Sequence, residues 1–260
     1  MSFEEKKVLV VGTGKSGVAA TELLLKEKVQ SVLFDANKEL DTKEFFEKNP
    51  SLNGVSLILG DLSDEQIKQF DIAVLSPGVP TDIPMVNRLR DAGVKIWGEI
   101  ELAYAFGKGR IIAITGTNGK TTTTALTGEI MADYYDDVRV VGNIGIPYTS
   151  MVQGTTEETV TVAEISSFQL ETIHGFKPHV SAILNITPDH LNRHHTMENY
   201  IKAKEDITKN QTADDFCVLN YEDEVLRNFA EKCPAKVIFF SSRRVLDEGF
   251  YLDGEEIMYA

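Results

Sequence analysis

Residues 110–124 read RIIAITGTNGKTTTT, and this stretch gives the clearest indication of the architecture. Its β-branched, apolar start, Arg110–Thr115, predicts a buried strand. A glycine-rich turn follows, and a helical pattern then runs to about Tyr134. Outward from this stretch, the same half of the chain has further strand-like and helix-like runs. Strands are predicted at Val138–Val141, Thr159–Ile165, His179–Leu184, Asp215–Leu219 and Lys236–Phe240, helices at Glu198–Asn210 and Glu222–Glu231, and a hairpin at Phe250–Tyr259.

The first half of the chain repeats the strand–turn–helix order. Lys7–Val11 (KVLVV) predicts a buried strand, and Ser16–Lys28 has helical spacing. Continuous apolar strands joined by helices indicate a parallel sheet covered on both faces. Further strands are predicted at Ser31–Asp35, Val55–Leu59, Asp71–Leu75 and Val94–Trp97. The fold class is therefore α/β, with one domain over residues 1–98 and a second over residues 99–260.

Composition restricts the classes of function. With 26 Lys+Arg against 40 Asp+Glu, the net charge is −14, so general binding of nucleic acid is not expected. Hydrophobic residues at 42% and charged residues at 25% are ordinary for a globular protein. No apolar run is long enough to span a membrane, and no secretory signal is visible at the N-terminus. Two cysteines, Cys217 and Cys233, are too few for a disulfide framework, so a cytoplasmic protein with reduced thiols is expected.

The first motif is Gly12-Thr-Gly14-Lys15-Ser16-Gly17, between a strand and a helix. Such a turn lets the backbone approach a phosphate at a helix N-terminus, and Asp35 ends the next strand, where nucleotide-binding folds place a ribose-binding acid. A nucleotide-type ligand is favoured over a tight turn without ligand. NAD is the default ligand at this point, which leaves a dinucleotide-dependent oxidoreductase open.

The second motif, Gly116-Thr117-Asn118-Gly119-Lys120-Thr121, resembles a P-loop. Backbone N–H groups would cradle phosphates, Lys120 would neutralise them, and Thr121 would reach Mg²⁺. The strict pattern fails because Ile114 stands where a glycine is required. The four threonines Thr121–Thr124 are poor helix formers, and a phosphate–metal site would use their hydroxyls. ATP is favoured over a structural turn.

Two other segments carry polar groups beside predicted strands. Glu164 ends a strand at the ligand side of an open sheet, where it would hold Mg²⁺ or simply be solvated. Asn143 is flanked by Gly142 and Gly145, which suggests a backbone that approaches a ligand.

Three histidines, His190, His194 and His195, fall in one short run after another strand. Zinc is conceivable there but lacks a supporting Cys or regular ligand pair, so at most one histidine is expected to assist a metal–phosphate site. The lysines of the following helix, Lys202 and Lys204, are expected to face solvent on sequence grounds alone.

Taken in this order, the segments resemble the Mur ligase family, which builds the peptide of bacterial cell-wall precursors. The TGTNGKT block is shared across that family and the folylpolyglutamate synthases. Four further features resemble the D-glutamate-adding members of that family: the glycine turn with Asp35, Ser76–Pro80 (SPGVP), the GNIGxP run and the ExSSFQLE segment. The resemblance implies a Rossmann-like first domain that holds a UDP-sugar instead of NAD, and a P-loop-type ATPase second domain.

The activity implied by the resemblance is the ATP-dependent addition of D-glutamate to UDP-N-acetylmuramoyl-L-alanine through an acyl phosphate, in peptidoglycan precursor biosynthesis. The resemblance implies a third domain that carries the D-glutamate site, and this domain is not expected within the present residues. The chain is thus expected to be an incomplete central domain behind a full first domain, monomeric and inactive alone. A fragment that only binds UDP-sugar or nucleotide is the alternative.

The resemblance also implies residue roles. For the UDP-sugar these are Gly14, Lys15, Ser16, Gly17, Asp35, Gly78, Asn143, Ser166 and Gln169. For ATP they are Gly116, Thr117, Asn118, Gly119, Lys120, Thr121 and Thr122. Thr121 and Glu164 would hold one Mg²⁺, and His190 and a Lys204 carbamylated by CO₂ would hold a second. Lys120, His190 and Lys204 are the implied catalytic residues.

Two positions depart from the family pattern. Asn192 stands where an aspartate is usual, and Ala36-Asn37 follow Asp35 where some relatives have threonine.

Overall fold

The computed structural model describes residues 3–143 and 145–260. The chain folds into two compact α/β units. The first comprises the residues up to Gly107 together with Pro147–Gly154 and Glu171–His174. The second comprises Lys108–Ile146, Thr155–Leu170 and Gly175–Ala260. The α/β class expected from the sequence is confirmed in both units.

The first unit contains a five-stranded, all-parallel sheet with the order β3-β2-β1-β4-β5. The central strand β1 is apolar and nearly inaccessible to solvent, because sheet neighbours and helices cover it. Its elements are β1 (Lys7–Val11), α1 (Lys15–Lys26), β2 (Gln30–Asp35), α2 (Thr42–Lys48), β3 (Ser56–Leu59), α3 (Asp64–Ile67), β4 (Ile72–Leu75), α4 (Pro84–Asp91), β5 (Lys95–Gly98) and α5 (Glu99–Phe106).

The strand order places a topological switch point beside β1. The chain passes from β1 to β2 and β3 on one side and then returns to β4 on the other side. In open α/β sheets, ligands bind at the carboxyl ends of the strands next to such a point. The turns after β1 and β4 flank this position, and both contain sequence-predicted ligand residues.

The second unit is built on an eight-stranded sheet with the order β13-β12-β11-β10-β9-β6-β8-β7. All neighbours are parallel except β12 and β13, which form the expected hairpin. Its elements are β6 (Arg110–Thr115), α6 (Lys120–Ala132), β7 (Val138–Gly142), β8 (Val160–Glu164), α7 (Ser167–Leu170), β9 (Val180–Ile183), α8 (Leu191–His194), α9 (Met197–Glu205), β10 (Phe216–Asn220), α10 (Glu224–Ala230), β11 (Lys236–Ser241), β12 (Phe250–Asp253) and β13 (Glu256–Tyr259).

The helix predicted over Glu198–Asn210 is shorter than expected. Helix α9 ends at Glu205, and a 3-10 turn, Asp206–Thr208, follows it. Two contacts accompany this tighter turn. The Asp206 side chain pairs with Lys202, and Thr208 Oγ1 donates a hydrogen bond to the Glu205 carbonyl. The periodic pattern continues through the 3-10 turn, so the sequence alone does not show where the α-helix stops.

Helix α5 lies in the first unit, beyond the boundary that the sequence predicts after residue 98. Its Ile100, Leu102 and Ala103 are fully buried. Its two buried carboxylates also bind later parts of the chain. Glu99 accepts hydrogen bonds from the Thr149 N–H at 2.6 Å and hydroxyl at 2.7 Å, and Glu101 accepts one from the His174 N–H at 2.8 Å. These bonds hold the segments 147–154 and 171–174 in the first unit.

Burial raises the pKa of Glu99, and the hydrogen bonds from Thr149 and the Tyr148 backbone act in the opposite direction. None of the helices in residues 3–143 and 145–260 combines the length and apolar character that crossing a membrane requires.

Candidate functional site

The turn after β1 has a conformation that requires glycine at two positions. Gly12 has φ +104°, and a Cβ there would lie 2.7 Å from Ser76 Oγ. A Cβ on Gly17 would lie 1.8 Å from the Gly12 carbonyl oxygen. By contrast, a Cβ on Gly14 would meet nothing within 4 Å. The turn is thus packed on its inner side and open on its outer side.

The open side of this turn is the N-terminus of α1. Gly14 is the N-cap residue, and no side chain caps the first turn of the helix. Backbone N–H groups at such an end bind anions, with help from the helix dipole. Lys15 is exposed and Ser16 is partly exposed at the same end. The arrangement suits a phosphate group.

Asp35 closes the turn from the end of β2. Its carboxylate accepts hydrogen bonds from the Thr13 N–H at 3.0 Å, the Thr13 hydroxyl at 2.6 Å and the Asn37 N–H at 2.9 Å. Burial by itself raises the pKa of Asp35, but the bonds from Thr13 and Asn37 together outweigh it and lower the pKa. The Asn37 contact is made by the backbone N–H, so it does not depend on the side chain at this position.

Gly78 belongs to the turn after β4, on the other side of the switch point. A Cβ there would meet nothing within 4 Å. Beside it, the buried hydroxyl of Ser76 has no hydrogen-bond partner among the described residues. The structure thus brings Gly14, Gly17, Asp35 and Gly78 to one edge of the first sheet, at the ends of β1, β2 and β4.

In the second unit, the glycine-rich turn after β6 is held by the segment that follows β9. Asn185 makes three hydrogen bonds to this turn. Its carbonyl accepts from the Thr117 N–H at 2.9 Å, and its Oδ1 accepts from the Asn118 N–H at 2.8 Å. Its Nδ2 donates to the Asn118 carbonyl at 3.0 Å. Thr117 Oγ1 also donates to the Thr187 carbonyl at 3.1 Å. Sequence reasoning missed this role of Asn185, although its place directly after a buried strand was a signal.

The same turn begins helix α6. Gly119, with φ +83°, is the N-cap, and no side chain caps the helix. The ammonium of Lys120 donates to the Thr117 carbonyl at 3.0 Å, so it lies folded back over the turn. Thr121 and Thr122 are exposed in the first helical turn, whereas Thr124 is buried. Thr124 therefore packs in the interior, and the exposed hydroxyls at this end of the helix are those of Thr121 and Thr122.

Glu164 ends β8 between two neighbouring strands, opposite Ile114 of β6 and Gly142 of β7. It is 1% exposed. Its Oε1 accepts a hydrogen bond from Asn143 Nδ2 at 2.8 Å. Its Oε2 is buried and has no partner among the described residues. A buried carboxylate oxygen without a donor is costly unless a cation or water serves it.

Asn143 is placed against Glu164 by the backbone of β7. Gly142 has φ +104°, and a Cβ there would lie 2.1 Å from the Glu164 carbonyl oxygen, so only glycine fits. That carbonyl also accepts the Asn143 N–H at 3.0 Å. Ile144 of the same run lies outside the described residues. Two residues that the sequence marked separately thus share one site.

Ser166 and Gln169 bind each other around the short helix α7. Gln169 Oε1 accepts from the Ser166 N–H at 2.9 Å and hydroxyl at 3.0 Å. Gln169 is buried, and Ser166 is partly exposed. In the structure, the two side chains therefore order the start of α7.

The three histidines have different environments. His194 is buried, bonds to Ser167 Oγ at 2.9 Å and stacks on Phe168. His190 is exposed, has φ +52°, and its Nε2 lies 3.4 Å from the Asp189 carboxylate. His195 is also exposed, with φ +67°, so neither exposure nor the uncommon positive φ singles out one of these two. His190 stays the candidate because the family resemblance implies it.

Lys204 is buried, with 2% exposure, so the expectation that both helix lysines face solvent is wrong for this one. Its ammonium donates to the Gly116 carbonyl at 2.8 Å and lies 4.7 Å from the ring centre of Tyr200. Burial, reinforced by the charge of Lys120 and opposed by Asp189, lowers the pKa of Lys204 to about 7. Lys202 does face solvent, where it pairs with Asp206.

Over the described parts of the chain, no three His, Cys, Asp or Glu side chains form a group that could hold a metal ion. A cage made entirely by the protein is thus not present there. Mg²⁺ does not need one, because it commonly keeps several waters and is bound through one or two carboxylates and substrate phosphates. The oxygen donors at Glu164 and Thr121 fit that kind of site.

Comparison with known proteins is consistent with this geometry. Residues 6–98 match the "Mur ligase MurD-like, N-terminal domain" family model, and residues 114–250 match "Mur ligase middle domain". The UDP-N-acetylmuramoylalanine–D-glutamate ligase of Lachnoclostridium phytofermentans is 59% identical over 259 residues. The ligases of the same name from Lachnospira eligens and Clostridioides difficile are 55% and 48% identical. These alignments cover 99–100% of this chain but only 57% of each relative's length.

Solved structures show the same fold at low identity. UDP-N-acetylmuramate:L-alanyl-gamma-D-glutamyl-meso-diaminopimelate ligase from Neisseria meningitides gives a TM-score of 0.58 at 13% identity, over 94% of this chain and 82% of that protein. A murein peptide ligase from Psychrobacter arcticus gives 0.56 at 14% identity, over 94% and 57%. Because the middle-domain match spans more than half of the residues, and the N-terminal match covers most of the remainder, this chain belongs to the Mur ligase family.

Proposed function

We propose that this chain is the UDP-sugar-binding and ATP-binding part of an ATP-dependent ligase that joins D-glutamate to UDP-N-acetylmuramoyl-L-alanine. The observation that carries the proposal is the phosphate-type turn Gly116–Thr121. The ammonium of Lys120 lies over this turn, where it donates to the Thr117 carbonyl, and the N-terminus of α6 is uncapped. Such a concentration of positive potential in a chain of net charge −14 suits a polyphosphate.

For ATP, the proposed ligands are the backbone N–H groups of Gly116, Gly119 and Lys120 and the side chains of Lys120, Thr121 and Thr122. Thr117 and Asn118 belong to the same proposed site, but their N–H groups donate to Asn185. The hydrogen bonds from Asn185 preorganise the turn, so little conformational freedom remains to be lost on binding. Lys120 would leave the Thr117 carbonyl and bind the β- and γ-phosphates. Its positive charge would stabilise the negative charge of the γ-phosphoryl group most strongly during the transfer.

For Mg²⁺, the residues present fit the ion. Glu164 offers a buried oxygen without a hydrogen-bond partner, and the Thr121 hydroxyl is exposed at the start of α6. Both are hard oxygen donors of the kind that Mg²⁺ prefers. When bound, the ion would supply positive charge to the phosphate oxygens. Asn143 would orient the Glu164 carboxylate through its 2.8 Å hydrogen bond.

For a second Mg²⁺, we propose His190 together with a carbamylated Lys204. A lysine with a pKa of about 7 is substantially neutral at neutral pH, and a neutral amine can attack CO₂. The N–C bond forms as the amine loses a proton, and the product has two carboxylate-like oxygens. Lys202 is the internal contrast, since it is exposed and paired with Asp206.

For the UDP-sugar, we propose that the diphosphate binds the Gly14–Gly17 turn with Lys15 and Ser16, and that Asp35 accepts a hydrogen bond from the uracil. A carboxylate has about four lone-pair positions, so the three bonds from Thr13 and Asn37 leave one to accept from a base. Gly78 leaves space beside this turn. Asn143, Ser166 and Gln169 stay proposed contacts of the UDP-sugar, on the family resemblance alone.

The proposed reaction has two steps. The alanyl carboxylate attacks the γ-phosphorus of ATP, ADP leaves, and an acyl phosphate forms. The amine of D-glutamate then attacks the acyl carbon, the amide bond forms, and inorganic phosphate leaves. The D-glutamate site is proposed to belong to the part of the relatives with which this chain does not align.

A binding-only role for the chain by itself is the second candidate, favoured by its coverage of 57% of its relatives' length. Calorimetry on the chain with Mg²⁺–ATP, UDP-N-acetylmuramoyl-L-alanine and NADH tests the binding part of the proposal. We expect saturable binding of the first two and none of NADH at micromolar concentrations. Saturable NADH binding with no UDP-sugar binding would instead favour a dinucleotide-dependent oxidoreductase.

A further inference from the structure

The segment that follows β9, residues 184–187, lies between the glycine-rich turn and the end of β10. Strand β9 is flanked by β6 and β10 in the sheet, and the segment continues beyond it. On the β6 side, Asn185 binds Thr117 and Asn118 of the turn as described above. The Thr187 N–H donates to Thr117 Oγ1 at 3.0 Å. The segment is thus tied to the turn at two residues.

The same segment is also bound by residues at the end of β10. The Leu184 carbonyl accepts a hydrogen bond from Asn220 Nδ2 at 3.1 Å. The N–H of Ile186, a buried residue, donates to Asp223 Oδ2 at 2.7 Å. Asp223 is itself tied back to β10, because its N–H donates to the Asn220 carbonyl at 3.2 Å. Residues 184–187 are therefore held from the side opposite to the glycine-rich turn.

Asp223 uses its two carboxylate oxygens for two different elements. Oδ1 caps helix α10, where it accepts from the Val225 N–H at 3.0 Å and the Leu226 N–H at 3.3 Å. Oδ2 accepts from the Ile186 N–H. A helix cap needs only one side-chain oxygen, and asparagine or serine caps a helix as well as aspartate does. The second oxygen therefore gives Asp223 a role besides capping, which is to join α10 to the segment 184–187.

We propose that Asp223 is a positioning residue for the glycine-rich turn Gly116–Thr121. It fixes the backbone at Ile186, and the residues on either side, Asn185 and Thr187, then hold the turn in its phosphate-binding conformation. The inference rests on the proposed ATP site. Its physical basis is preorganisation, since a turn that is already held in place loses less conformational freedom when a ligand binds. Asp223 acts through its neighbours and is not a ligand of the nucleotide.

The variant Asp223→Asn separates this role from capping. Asparagine has the same size but only one side-chain oxygen, and that oxygen keeps the cap on α10. Its NH₂ group then stands opposite the Ile186 N–H, from which it cannot accept a hydrogen bond. Asp41→Asn is the matched control. Asp41 caps α2 in the same way, since its Oδ1 accepts from the Lys43 N–H at 2.9 Å and the Glu44 N–H at 3.0 Å.

Amide hydrogen exchange of the nucleotide-free chain, followed by NMR, tests the positioning directly. The readout is the exchange of the Thr117 and Asn118 N–H groups, because both donate to Asn185. In Asp223→Asn we expect both to exchange at least about threefold faster than in the wild type, and in Asp41→Asn at the wild-type rate. A residue that only caps α10 would not change these two rates. Wild-type exchange at Thr117 and Asn118 in Asp223→Asn would therefore overturn the proposal.

Calorimetry on the same proteins measures the consequence for binding. In Asp223→Asn the Kd for Mg²⁺–ATP should rise about three- to tenfold, the equivalent of one hydrogen bond, and the Kd for UDP-N-acetylmuramoyl-L-alanine should stay unchanged. Circular dichroism checks that each variant is folded, and Asp223→Ser, which also keeps one capping oxygen, replaces Asp223→Asn if the latter does not fold.

An unchanged Kd for Mg²⁺–ATP in a folded Asp223→Asn, or an equal rise in Asp41→Asn, would overturn the proposal. A wild-type chain that binds no Mg²⁺–ATP would instead refute the proposed ATP site, and the exchange rates of Thr117 and Asn118 would then decide by themselves whether Asp223 positions the turn.

Discussion

Replacing Lys204 by methionine should change how the stability of the second unit depends on pH. Methionine keeps an unbranched side chain of similar length but cannot bind a proton. In the wild type, the pKa of Lys204 is about 7 in the folded state and about 10.5 in the unfolded state. Between these values the unfolded state binds one proton more than the folded state, so wild-type stability rises with pH in this window.

The size of the effect follows from the two pKa values. Each pH unit in this window adds about 1.4 kcal/mol. At pH 7 the folded lysine is half protonated, which reduces the slope there. From pH 7 to pH 9 the wild type should therefore gain about 2 kcal/mol in free energy of unfolding relative to Lys204→Met. Loss of the bond to the Gly116 carbonyl adds a difference that does not vary with pH.

Urea unfolding at pH 7, 8 and 9, in buffers free of CO₂ and Mg²⁺, measures this difference. Lys202→Met is the matched control, because Lys202 lies on the same helix but is exposed and paired with Asp206. We expect the control to follow the wild type across the range. A constant gap between wild type and Lys204→Met from pH 7 to pH 9 would refute the reasoning, since it would mean that Lys204 keeps an ordinary pKa.

Three further predictions concern the two nucleotide sites. In a ligase that contains this chain, Lys120→Ala should lower the rate of ATP-dependent phosphate release at least about a hundredfold, because the lost charge acts on the transferring phosphoryl group. Calorimetry should show unchanged UDP-sugar binding, and a variant that keeps one tenth of wild-type turnover would exclude this role. Asp35→Ala should weaken binding of the UDP-sugar by about 5–150-fold, the equivalent of roughly 1–3 kcal/mol, and should leave the affinity for ATP unchanged. Equal losses of affinity for the two ligands would make Asp35 purely structural. Gly17→Ala should destabilise the first unit by about 1–3 kcal/mol in urea unfolding, because its Cβ would lie 1.8 Å from the Gly12 carbonyl oxygen. The control Gly14→Ala, whose Cβ meets nothing within 4 Å, should change stability much less, and equal effects of the two variants would contradict the packing.

The elements that the sequence predicts most accurately are strands with a continuous apolar, β-branched pattern. Lys7–Val11 and Arg110–Thr115 have the bounds expected from their residues, and the Phe250–Tyr259 hairpin is confirmed around Asp253-Gly254. Elsewhere the ends differ by one or a few residues, because capping and 3-10 turns depend on contacts that periodicity does not encode.

What the sequence does not predict arises from contacts between distant residues. Segments 147–154 and 171–174 join the first unit through bonds from Thr149 and His174 to Glu99 and Glu101, which are far away in the chain. Lys204 is buried because its amine reaches the Gly116 carbonyl. A local pattern of charged residues on a helix cannot reveal either fact. The resemblance to the Mur ligase family did mark Lys204, but only through its motif.

The most direct measurement of the central claim uses a fusion of this chain to the part of the Lachnoclostridium phytofermentans ligase with which it does not align. The assay follows labelled D-glutamate into UDP-N-acetylmuramoyl-L-alanine, with ATP present and absent. We predict ATP-dependent product with one phosphate released per amide formed, and none from the same fusion carrying Lys120→Ala. A folded fusion that binds both nucleotides yet forms no product would contradict the account.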